Sequence, residues 1–400
     1  MAKYRVLIVN HVAGIAGGEK ATLRWLDALD RDLFEVAWAC PEEGPLTEDV
    51  RGREMAVYLG YPSKRLLNIK RKSLGSNRLA ILTYPLDMIT TVAGLARLVR
   101  RERFDLVFTN SLKADIYGSL AGWMARRPIV WGVHDVVIPE SFNKLNMWLV
   151  KTCGSYLASR IIADAPAVKE ALVDLGVPGE KIAVVYIGIK MEEVLSTKSR
   201  EEVRKELGIG EETPVAGFVG RLVEWKGVDY FIRAAAMVAA EIPEARFLIV
   251  GDALFGEEEY VDYLKRLTAE LEMGEKIIYT GFREDVPDIM SSVDLFVLSS
   301  VLPDPLPNVV IEAMAKGLPV VAFDGGGIPV MIEDGVTGAI VPPRDFEAMA
   351  RAMVALLGDR EKALRMGEAG LSRAQRIFDK DETARTKDRV LLEALETRGG

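Results

Sequence analysis

Residues 295–343, LFVLSSVLPDPLPNVVIEAMAKGLPVVAFDGGGIPVMIEDGVTGAIVPP, decide the fold of this 400-residue chain. The runs LFVLSS and PVVAF have the apolar character of strands buried in a parallel sheet. A proline-rich loop joins the first run to a helix that is expected to start at Asn308, a good N-cap residue. That helix should end at Gly317, because glycine tolerates the left-handed conformation and Pro319 cannot continue a helix.

The same stretch brings polar groups to one edge of the expected sheet. In open α/β sheets, ligands bind outside the carboxyl ends of the strands. Two carboxylates, Asp304 and Glu312, and three consecutive glycines, residues 325–327, lie next to such strand ends. The segment therefore predicts a ligand site of the doubly wound α/β type.

Length and composition indicate a two-domain globular protein. A chain of 400 residues exceeds one ordinary core, and 49% hydrophobic residues can fill two. The two cysteines, Cys40 and Cys153, are predicted to be buried thiols in a reducing compartment. The two histidines, His11 and His134, offer no metal-ligand spacing, and no window approaches 18 apolar residues, so neither a metal site nor a membrane span is expected.

Charge is spread unevenly along the chain. Residues 1–190 contain 26 Lys and Arg against 20 Asp and Glu, whereas residues 191–400 contain 25 against 39. Ten of the basic residues lie within residues 62–103, where apolar residues are interleaved with them. This segment suits docking on an anionic membrane, although a solvated loop and helix end explain it equally well. No nucleic-acid partner is expected, because the whole chain is acidic and the densest basic run lacks aromatic residues.

Strand and helix patterns alternate in two series, which predicts parallel strands in βαβ units. The first series has the strand candidates VLIVN, EVAWAC, MAVYLG, LVFTN, PIVWGVH, RIIADA and KIAVVYI, and the second has VAGFVG, RFLIVGD, KIIYTG, LFVLSS, PVVAF and GAIVPP. The predicted domains are residues 1–190 and 191–379, followed by a helix over residues 380–400 that packs back on the first domain. Residues 190–213 read as a polar linker.

One helix between MAVYLG and LVFTN has the clearest helical periodicity. Apolar residues recur at helical spacing along it, and arginines gather at its end, where the helix dipole favours them. These apolar positions are Leu86, Ile89, Val92, Leu95, Ala96 and Val99.

The motif GFVGRLVEWKG, residues 217–227, follows a predicted strand with a flexible turn and two cations. Gly220 allows a ligand to approach the backbone closely. Arg221 supplies a forked donor and Lys226 a mobile point charge, and together they suit a diphosphate. A polar loop with two solvated cations is the alternative.

Two further groups stand near strand ends in the first half. AGIAGGEKATL, residues 13–23, is a glycine-rich turn opening a helix, where Gly17 and Gly18 leave backbone N–H groups free to hold an anion. It matches neither GxGxxG nor the Walker A pattern, so a simple turn is equally consistent. His134 follows a strand and could donate a hydrogen bond to a substrate, or could be a structural histidine.

Asp304 and Glu312 could form a functional carboxylate pair. Paired carboxylates act as acid and base or hold sugar hydroxyls. Glu312 stands among apolar residues on its helix and therefore needs a partner if it is buried. The alternative is an ordinary glutamate on the solvent face of an amphipathic helix.

Taken together, these motifs resemble the retaining, family-4 type of glycosyltransferases with the GT-B fold. The resemblance covers most of the chain and rests on GFVGRLVEWKG, FLIVGD, IIYTGFREDV and PDPLPNVVIEAMAKGLPVVAFDGGGIPVMIEDGVTG, with AGGEK and VHD in the first half. It implies two Rossmann-like domains that face a central cleft. The first domain would receive the acceptor and the second the nucleotide-sugar donor.

The resemblance also implies a role for each candidate residue. Catalytic roles fall to Arg221 and Lys226, which bind the donor diphosphate, to His134 near the reaction centre, and to Asp304 on the transferred sugar. Donor-binding roles fall to seven residues: Gly17, Gly18, Gly220, Arg283, Glu312, Gly326 and Gly327. Glu312 is expected to accept hydrogen bonds from the ribose, and the backbone at Arg283 to hold the base.

Three positions depart from the family pattern. Asp304 is one methylene shorter than the usual glutamate, which puts the donor sugar or its pose in question. Val330 stands where glutamate often follows Gly-Gly-x-Pro, and the stretch around Gly188 lacks the usual Asn-Gly-x-Asp. The diphosphate site keeps its residues.

The expected reaction is therefore transfer of a hexosyl group from a UDP- or GDP-sugar to an acceptor hydroxyl with retention and without a metal or other cofactor. The acceptor is expected to be a sugar or a lipid-linked molecule of cell-envelope, polysaccharide or glycolipid synthesis. The expected location is the cytoplasm or the inner face of the membrane. Two rival functions remain at this point: a nucleotide-sugar epimerase or hydrolase on a similar fold, and a non-catalytic nucleotide-sugar binding protein.

Overall fold

The computed structural model describes residues 3–61, 78–140, 142–253 and 257–397, with the backbone alone for residues 78–85. The chain divides into two compact units. The first unit comprises Met1–Gly188 together with Lys380–Gly400, and the second comprises Ile189–Asp379. Each unit is built around one parallel sheet, as the two alternating series predict.

The first unit contains a seven-stranded sheet in the order β3-β2-β1-β4-β5-β6-β7. Its neighbouring strands all pair in parallel. Apolar residues dominate the inner strands, because a parallel sheet is covered on both faces. The strands are β1 Tyr4–Val9, β2 Phe34–Cys40, β3 Ala56–Leu59, β4 Leu106–Thr109, β5 Ile129–Val133, β6 Arg160–Ala163 and β7 Ile182–Val184.

Helices cover the two faces of this sheet and bury two hydrophobic clusters against it. They are α1 Gly17–Leu26, α2 Pro45–Gly52, α3 Arg78–Arg101, α4 Leu112–Ala125, α5 Lys144–Tyr156 and α6 Pro166–Leu175, with a short 3₁₀ helix at Gly179–Lys181.

The apolar stripe of α3 is only partly covered. Val92, Leu95 and Val99 are buried against the sheet, as the helical spacing indicates. Leu86 and Ile89 belong to the same stripe but are each 63% exposed. The periodicity therefore identified the helix correctly, while its first described turns carry apolar groups to the solvent.

The second unit contains a six-stranded, all-parallel sheet in the order β10-β9-β8-β11-β12-β13. One large cluster of its core contains Phe218, Phe231 and Phe247, which pack together. The strands are β8 Val215–Val219, β9 Arg246–Val250, β10 Ile277–Gly281, β11 Leu295–Leu298, β12 Val320–Phe323 and β13 Gly338–Val341.

The helices of the second unit include the one predicted in the opening segment. Its first residue is Asn308 and its N-cap is the extended Pro307, so the predicted start is one residue late. Gly317 adopts φ +71° after it, as expected of a helix-ending glycine. The helices are α7 Arg200–Glu206, α8 Val228–Glu241, α9 Glu258–Glu270, α10 Val286–Ser291, α11 Asn308–Ala315, α12 Ile328–Met331, α13 Phe346–Leu357 and α14 Arg360–Ile377, with 3₁₀ helices at Met191–Val194 and Glu224–Lys226.

The prediction of a polar linker over residues 190–213 is wrong. This segment contains α7 and is an integral part of the second unit. Arg204 is 1% exposed, and its guanidinium donates to the carbonyls of Ser292 at 2.9 Å and Gly210 at 2.9 Å. It also forms an ion pair with Asp294 at 2.9 Å. A charged residue is buried here because backbone acceptors and a carboxylate replace its hydration.

The last helix, α15 Lys380–Glu396, belongs to the first unit. Asp388 accepts a hydrogen bond from Trp25 Nε1 at 3.0 Å and another from the backbone N–H of Asp30 at 3.2 Å. Val390 and Leu391 join the core of that unit. The chain therefore returns to its first unit after completing the second.

Cys40 and Cys153 are free and buried, as predicted. Burial raises the pKa of the Cys40 thiol to about 12 and that of Cys153 to about 11, so both are neutral at physiological pH. Among the helices in the described part of the chain, none has the length and apolarity that a membrane-crossing segment requires.

Candidate functional site

The candidate residues gather where the strand order of each sheet reverses. In the second sheet, the order reverses between β8 and β11; in the first, between β1 and β4. Loops that leave adjacent strands in opposite directions open a crevice at such a switch point, where ligands of open α/β folds bind. Four of the eight candidates of the second unit lie in the loops that follow β8 or β11: Gly220, Arg221, Lys226 and Asp304.

The loop after β8 holds two cations around one aromatic ring. The guanidinium carbon of Arg221 lies 5.8 Å from the centre of the Trp225 ring, and Lys226 Nζ lies 4.3 Å from it. Arg221 is exposed, whereas Lys226 is half-buried. The ring face thus orients both cations, and of the two, Arg221 is the one that is exposed to solvent.

Lys226 Nζ also forms an ion pair with the carboxylate of Asp304. The side chains are 12% and 10% exposed, so this pair is largely removed from water. Two hydrogen bonds from residues that follow β11 hold the loop after β8 in place. Ser299 Oγ donates to the Lys226 carbonyl at 3.0 Å, and the Val301 N–H donates to the Trp225 carbonyl at 2.9 Å. Two residues that the sequence separates by about eighty positions therefore meet at one point.

The glycine turn after β12 closes tightly on the Asp304 loop. The Gly327 N–H donates to the Asp304 carbonyl at 2.9 Å. Gly326 adopts φ +58°, and a Cβ there would lie 2.0 Å from the same carbonyl oxygen. A Cβ on Gly327 would lie 1.8 Å from the Pro305 carbonyl oxygen. Only glycine fits these two positions, and backbone atoms instead of side chains border the site.

Three more polar groups lie on the second unit. Glu312 is 6% exposed on α11, so the interpretation of a solvent-facing glutamate does not hold. The Ser300 hydroxyl, two residues beyond β11, is buried and has no hydrogen-bond partner in the described part of the chain. The Arg283 guanidinium is held by Asp285 at 2.6 Å and Glu206 at 2.8 Å. These carboxylates raise the pKa of Arg283 above its usual value, and the two ion pairs hold its side chain in place.

In the first unit, polar residues immediately follow four strands and form one buried network. Asn10, Asn110, His134 and Asp164 follow β1, β4, β5 and β6. His134 Nδ1 contacts Asp164 Oδ2 at 2.5 Å, and His134 Nε2 contacts Asn110 Oδ1 at 2.9 Å. Carboxyl ends of parallel strands meet at one sheet edge, which explains how residues far apart in sequence share this place.

The hydrogen bonds of the network favour one protonation state of His134. Asn10 Nδ2 donates to the Val12 carbonyl at 2.9 Å, so its oxygen faces Asn110 and accepts from Asn110 Nδ2 at 3.4 Å. The Asn110 oxygen therefore faces His134 and accepts from it. Both ring nitrogens are then placed to donate, an arrangement that favours the imidazolium form of His134.

Electrostatics agree with this assignment. Burial opposes the charged ring, but the Asp164 carboxylate outweighs burial and the pKa of His134 is raised above its usual value. Glu19 acts in the same direction as Asp164, and the Lys387 ammonium acts against it. Lys387 is 2% exposed on α15, and burial lowers its own pKa.

Gly17 and Gly18 form the first turn of α1 beside this network. A Cβ at Gly18 would lie 2.9 Å from His134 Cδ2, so the helix start packs directly on the imidazole. The backbone N–H of Ala16, the helix N-cap, donates to Glu19 Oε2 at 3.1 Å. The structure thus brings Gly18 and His134 together in the first unit. In the second unit it brings together Lys226, Asp304, Gly326 and Gly327.

The charge of His134 has a consequence that can be measured. We expect the His134 ring to titrate above its ordinary value of 6.5 in ¹H–¹³C NMR spectra, where the chain's two histidines give few signals. Asp164→Asn should lower this pKa, because the neutral amide no longer stabilises the imidazolium. Since the folded-state pKa is raised, the contribution of His134 to stability is present below pH 6.5 and is lost as pH rises through the folded value.

Two controls complete this experiment. His11→Gln assigns the remaining signals, and Asp174→Asn removes an exposed carboxylate of the same unit. The titration should be unchanged in Asp174→Asn. An unchanged pKa in Asp164→Asn would contradict the assigned network.

The sequence interpretation missed several members of both sites. Trp225 contacts both cations and lies within the motif of residues 217–227, but the motif predicted no role for it. Asn10, Asn110 and Asp164 shared one detectable signal, a polar residue directly after an apolar strand. Lys387 had no local signal, because it lies on a charged helix more than two hundred residues away from the strands it serves.

Comparison with known proteins identifies the architecture. The family model described as Glycosyl transferases group 1 matches residues 199–373. The model described as Glycosyltransferase Family 4 matches residues 15–193. Each model falls on one of the two units, and together they span most of the chain.

One curated relative extends the match over nearly the whole length, and another covers about half of it. An Escherichia coli UDP-Gal:alpha-D-GlcNAc-diphosphoundecaprenol alpha-1,3-galactosyltransferase is 24% identical over 367 residues, covering 90% of this chain and 89% of that protein. The lipopolysaccharide core biosynthesis glycosyltransferase LpsE of Rhizobium meliloti is 31% identical over 210 residues, covering 52% of this chain and 57% of that protein.

A solved structure has the same fold over nearly the whole chain. Alr3699/HepE of Anabaena, crystallised in complex with UDP, superposes with a TM-score of 0.83 at 27% identity and covers 97% of this chain and 99% of that one. Other crystals of that protein hold UDP with glucose, or UDP-glucose. The chain belongs to the family-4, group 1 glycosyltransferases of the GT-B fold.

Proposed function

We propose that this glycosyltransferase moves a hexosyl group from a UDP-sugar to an acceptor hydroxyl with retention of configuration. The observation that carries the proposal is the loop after β8, where Arg221 and Lys226 flank Trp225 at the switch point of the second sheet. Two oriented cations at that place suit a diphosphate. The UDP found in crystals of the Anabaena protein supports uridine over guanosine as the base.

The proposal gives each candidate residue of the second unit a role in binding the donor. Arg221 and Lys226 bind the diphosphate and stabilise the charge that develops on the leaving group. The glycine turn lets the donor approach the backbone because it carries no side chains, and the unpartnered Ser300 hydroxyl can bond a donor oxygen. Glu312 accepts from the ribose, Asp304 from the transferred sugar, and the backbone at Gly220 and Arg283 lines the nucleotide. In the first unit, Gly17, Gly18 and His134 keep the donor-binding and catalytic roles that the family resemblance implies.

Retention requires a route that returns the new bond to the original face. A double displacement needs a carboxylate nucleophile, but Asp304 is already ion-paired with Lys226. We therefore favour attack by the acceptor on the face that the diphosphate leaves. The bond from the anomeric carbon to the phosphate oxygen breaks, the bond to the acceptor oxygen forms, and the departing phosphate oxygen takes the acceptor proton. The fixed cations supply the positive charge, so the proposal needs no metal ion.

We propose a sugar or lipid-linked acceptor of cell-envelope, polysaccharide or glycolipid synthesis. The names of the Escherichia coli and Rhizobium relatives support this choice. The two buried free thiols suit the reducing cytoplasm as its location. Anionic membrane contact through residues 62–103 stays a prediction: residues 62–77 lie outside the described residues, while Arg97, Arg100 and Arg101 are exposed on α3.

A ligand screen tests the donor. We expect UDP-sugars to raise the melting temperature of the protein more than GDP- or ADP-sugars do, because a ligand stabilises the folded state according to its affinity. The sugar that stabilises best should then be transferred to a saccharide or lipid-linked acceptor in the presence of EDTA, and NMR of the product should show the donor's anomeric configuration. No stabilisation by any nucleotide sugar, or activity that EDTA abolishes, would overturn the proposal.

A further inference from the structure

Exposed apolar side chains are concentrated on one face of the first unit. Sixteen large hydrophobic residues are exposed in the described part of the chain, and seven of them lie on the consecutive helices α3, α4 and α5. Both tryptophans exposed among the described residues are in this group. We call this surface the aromatic face, and it comprises Leu86, Ile89, Trp123, Met124, Leu145, Trp148 and Tyr156.

The three helices form one continuous layer. α4 and α5 connect the neighbouring strands β4 to β5 and β5 to β6, and α3 connects β3 to β4 across β2 and β1. All three connections run in the same direction across the sheet. Right-handed crossovers place all three on the same side of the sheet. α4 packs against both α3 and α5. The aromatic face is therefore a shared surface three helices wide and not a set of scattered side chains.

The pattern on α5 is the reverse of that on an ordinary surface helix. Val150 and Cys153 face the protein, while Leu145, Trp148 and Tyr156 are 61%, 58% and 82% exposed. The exposed residues recur at helical spacing, so they form an outward stripe of their own. A second apolar stripe that is mostly exposed to solvent indicates a partner surface.

Cations surround these apolar groups. Seven basic residues on or just after the three helices are exposed: Arg97, Arg100, Arg101, Lys113, Arg126, Lys144 and Lys151. The three arginines of α3 line a groove against Met124, together with Ala93 and Ala96. The three helices contain only two acidic residues, Asp87 and the fully buried Asp115, and Glu102, directly after α3, forms an ion pair with Arg101 at 2.8 Å. This face is thus positive, although the chain as a whole carries −8.

We propose that the aromatic face docks on the surface of an anionic lipid bilayer. Tryptophan and tyrosine rings rest at the level of the lipid headgroups, with leucine and isoleucine just below them, while arginine and lysine contact lipid phosphates. A second copy of the chain fits less well, since it would bring seven cations against seven like charges. The docking surface adds two helices to the basic segment and does not depend on residues 62–77.

Vesicle co-sedimentation tests the proposal. The protein should bind vesicles of equal parts phosphatidylglycerol and phosphatidylcholine, and binding should weaken as salt rises. Trp123→Ser/Trp148→Ser should weaken this binding at least about tenfold, because both interfacial rings are lost. Arg97→Gln/Lys151→Gln should weaken it by about tenfold or more, on the basis of one lipid-facing charge lost per substitution.

Matched variants of the second unit serve as controls. Leu364→Ser removes an exposed apolar side chain, at 56% exposure, and Arg351→Gln/Lys265→Gln removes two exposed cations. Both should bind vesicles as the unaltered protein does. Each variant should keep the circular dichroism spectrum and the melting shift produced by UDP, which separates loss of docking from loss of fold or of the donor site.

Three outcomes would overturn the docking surface. One is equal binding of the aromatic-face variants and the controls, and another is equal binding to vesicles of phosphatidylcholine alone. The third is a dimer, by light scattering, that Trp123→Ser/Trp148→Ser dissociates, because the face would then bind a second copy. Vesicle binding without nucleotide-sugar binding would refute the proposed function alone.

Discussion

Replacing Lys226 by alanine is expected to lower kcat/KM for sugar transfer by about 10²–10³. The ammonium group, 4.3 Å from the Trp225 ring centre, is one of two cations assigned to the diphosphate. Its charge matters most when the bond to the leaving group breaks, so kcat should fall more than KM rises. Steady-state kinetics with the best UDP-sugar of the ligand screen would measure both.

The ion pair with Asp304 complicates this variant and also provides its control. Without Lys226, the carboxylate of Asp304, a residue 8% exposed, loses its cation, and the free energy of unfolding should fall by about 3 kcal/mol. Lys226→Ala/Asp304→Ala should recover much of that stability, since the unpaired charge is gone, without recovering activity. Lys265→Ala, on the exposed face of α9, should leave both quantities unchanged.

Two results would contradict this role. Near-complete transfer activity in Lys226→Ala would remove Lys226 from the diphosphate site. A double variant that regained activity along with stability would mean that Lys226 serves only to hold Asp304, and that Arg221 acts without it.

Local patterns predicted the two sheets because strands buried on both faces of a parallel sheet are short, nearly continuous apolar runs in the sequence. Runs such as VAGFVG and LFVLSS are short, apolar and bounded by glycine, proline or polar residues, and the observed β8 and β11 lie within them. Boundaries were less accurate. Pro307, already extended, takes the cap position that the pattern assigned to Asn308.

Residues whose environment is created by distant parts of the chain escaped local patterns. Arg204 lies in the polar string KSREEVRKELG, yet it is buried because carbonyls from another loop surround it. Lys387 reaches the His134 network only after the chain returns to its first unit. Conversely, Leu86 continues an apolar stripe whose later residues are buried, and it is exposed because no described element covers that end of α3.

The candidate site was predictable where motif and geometry coincide. Arg221, Lys226 and Asp304 come together because β8 and β11 are neighbours at the switch point, which follows from the strand order. The contact between Lys226 and Asp304 was not predictable, since it depends on the length of the Asp304 side chain. That contact makes Asp304 a poor nucleophile and strengthens the case for attack on the leaving-group face.

Gly327→Ala is expected to produce the largest combined loss of stability and activity in the glycine turn. The added Cβ would lie 1.8 Å from the Pro305 carbonyl oxygen and 3.3 Å from Leu306 Cδ1. The turn cannot simply shift, because the Gly327 N–H donates to the Asp304 carbonyl at 2.9 Å. Overpacking against backbone should lower the free energy of unfolding by about 3 kcal/mol.

The activity loss follows from where the strain is relieved. Moving the Pro305 carbonyl also moves Asp304 and, through the ion pair, Lys226. A displacement of about 1 Å in such positioning groups lowers a rate by about 10²-fold. Chemical denaturation and steady-state kinetics would measure the two effects, and UDP should raise the melting temperature of the variant less than that of the unaltered protein.

Gly274→Ala is the matched control, since a Cβ there has nothing within 4 Å. It should change the free energy of unfolding by no more than about 0.5 kcal/mol and leave the kinetics unchanged. If Gly327→Ala were as stable and active as Gly274→Ala, the turn after β12 would be neither tight nor coupled to Asp304. The assignment of Gly326 and Gly327 to the donor site would then lose its physical basis, and the cations of the β8 loop would have to bind the diphosphate without it.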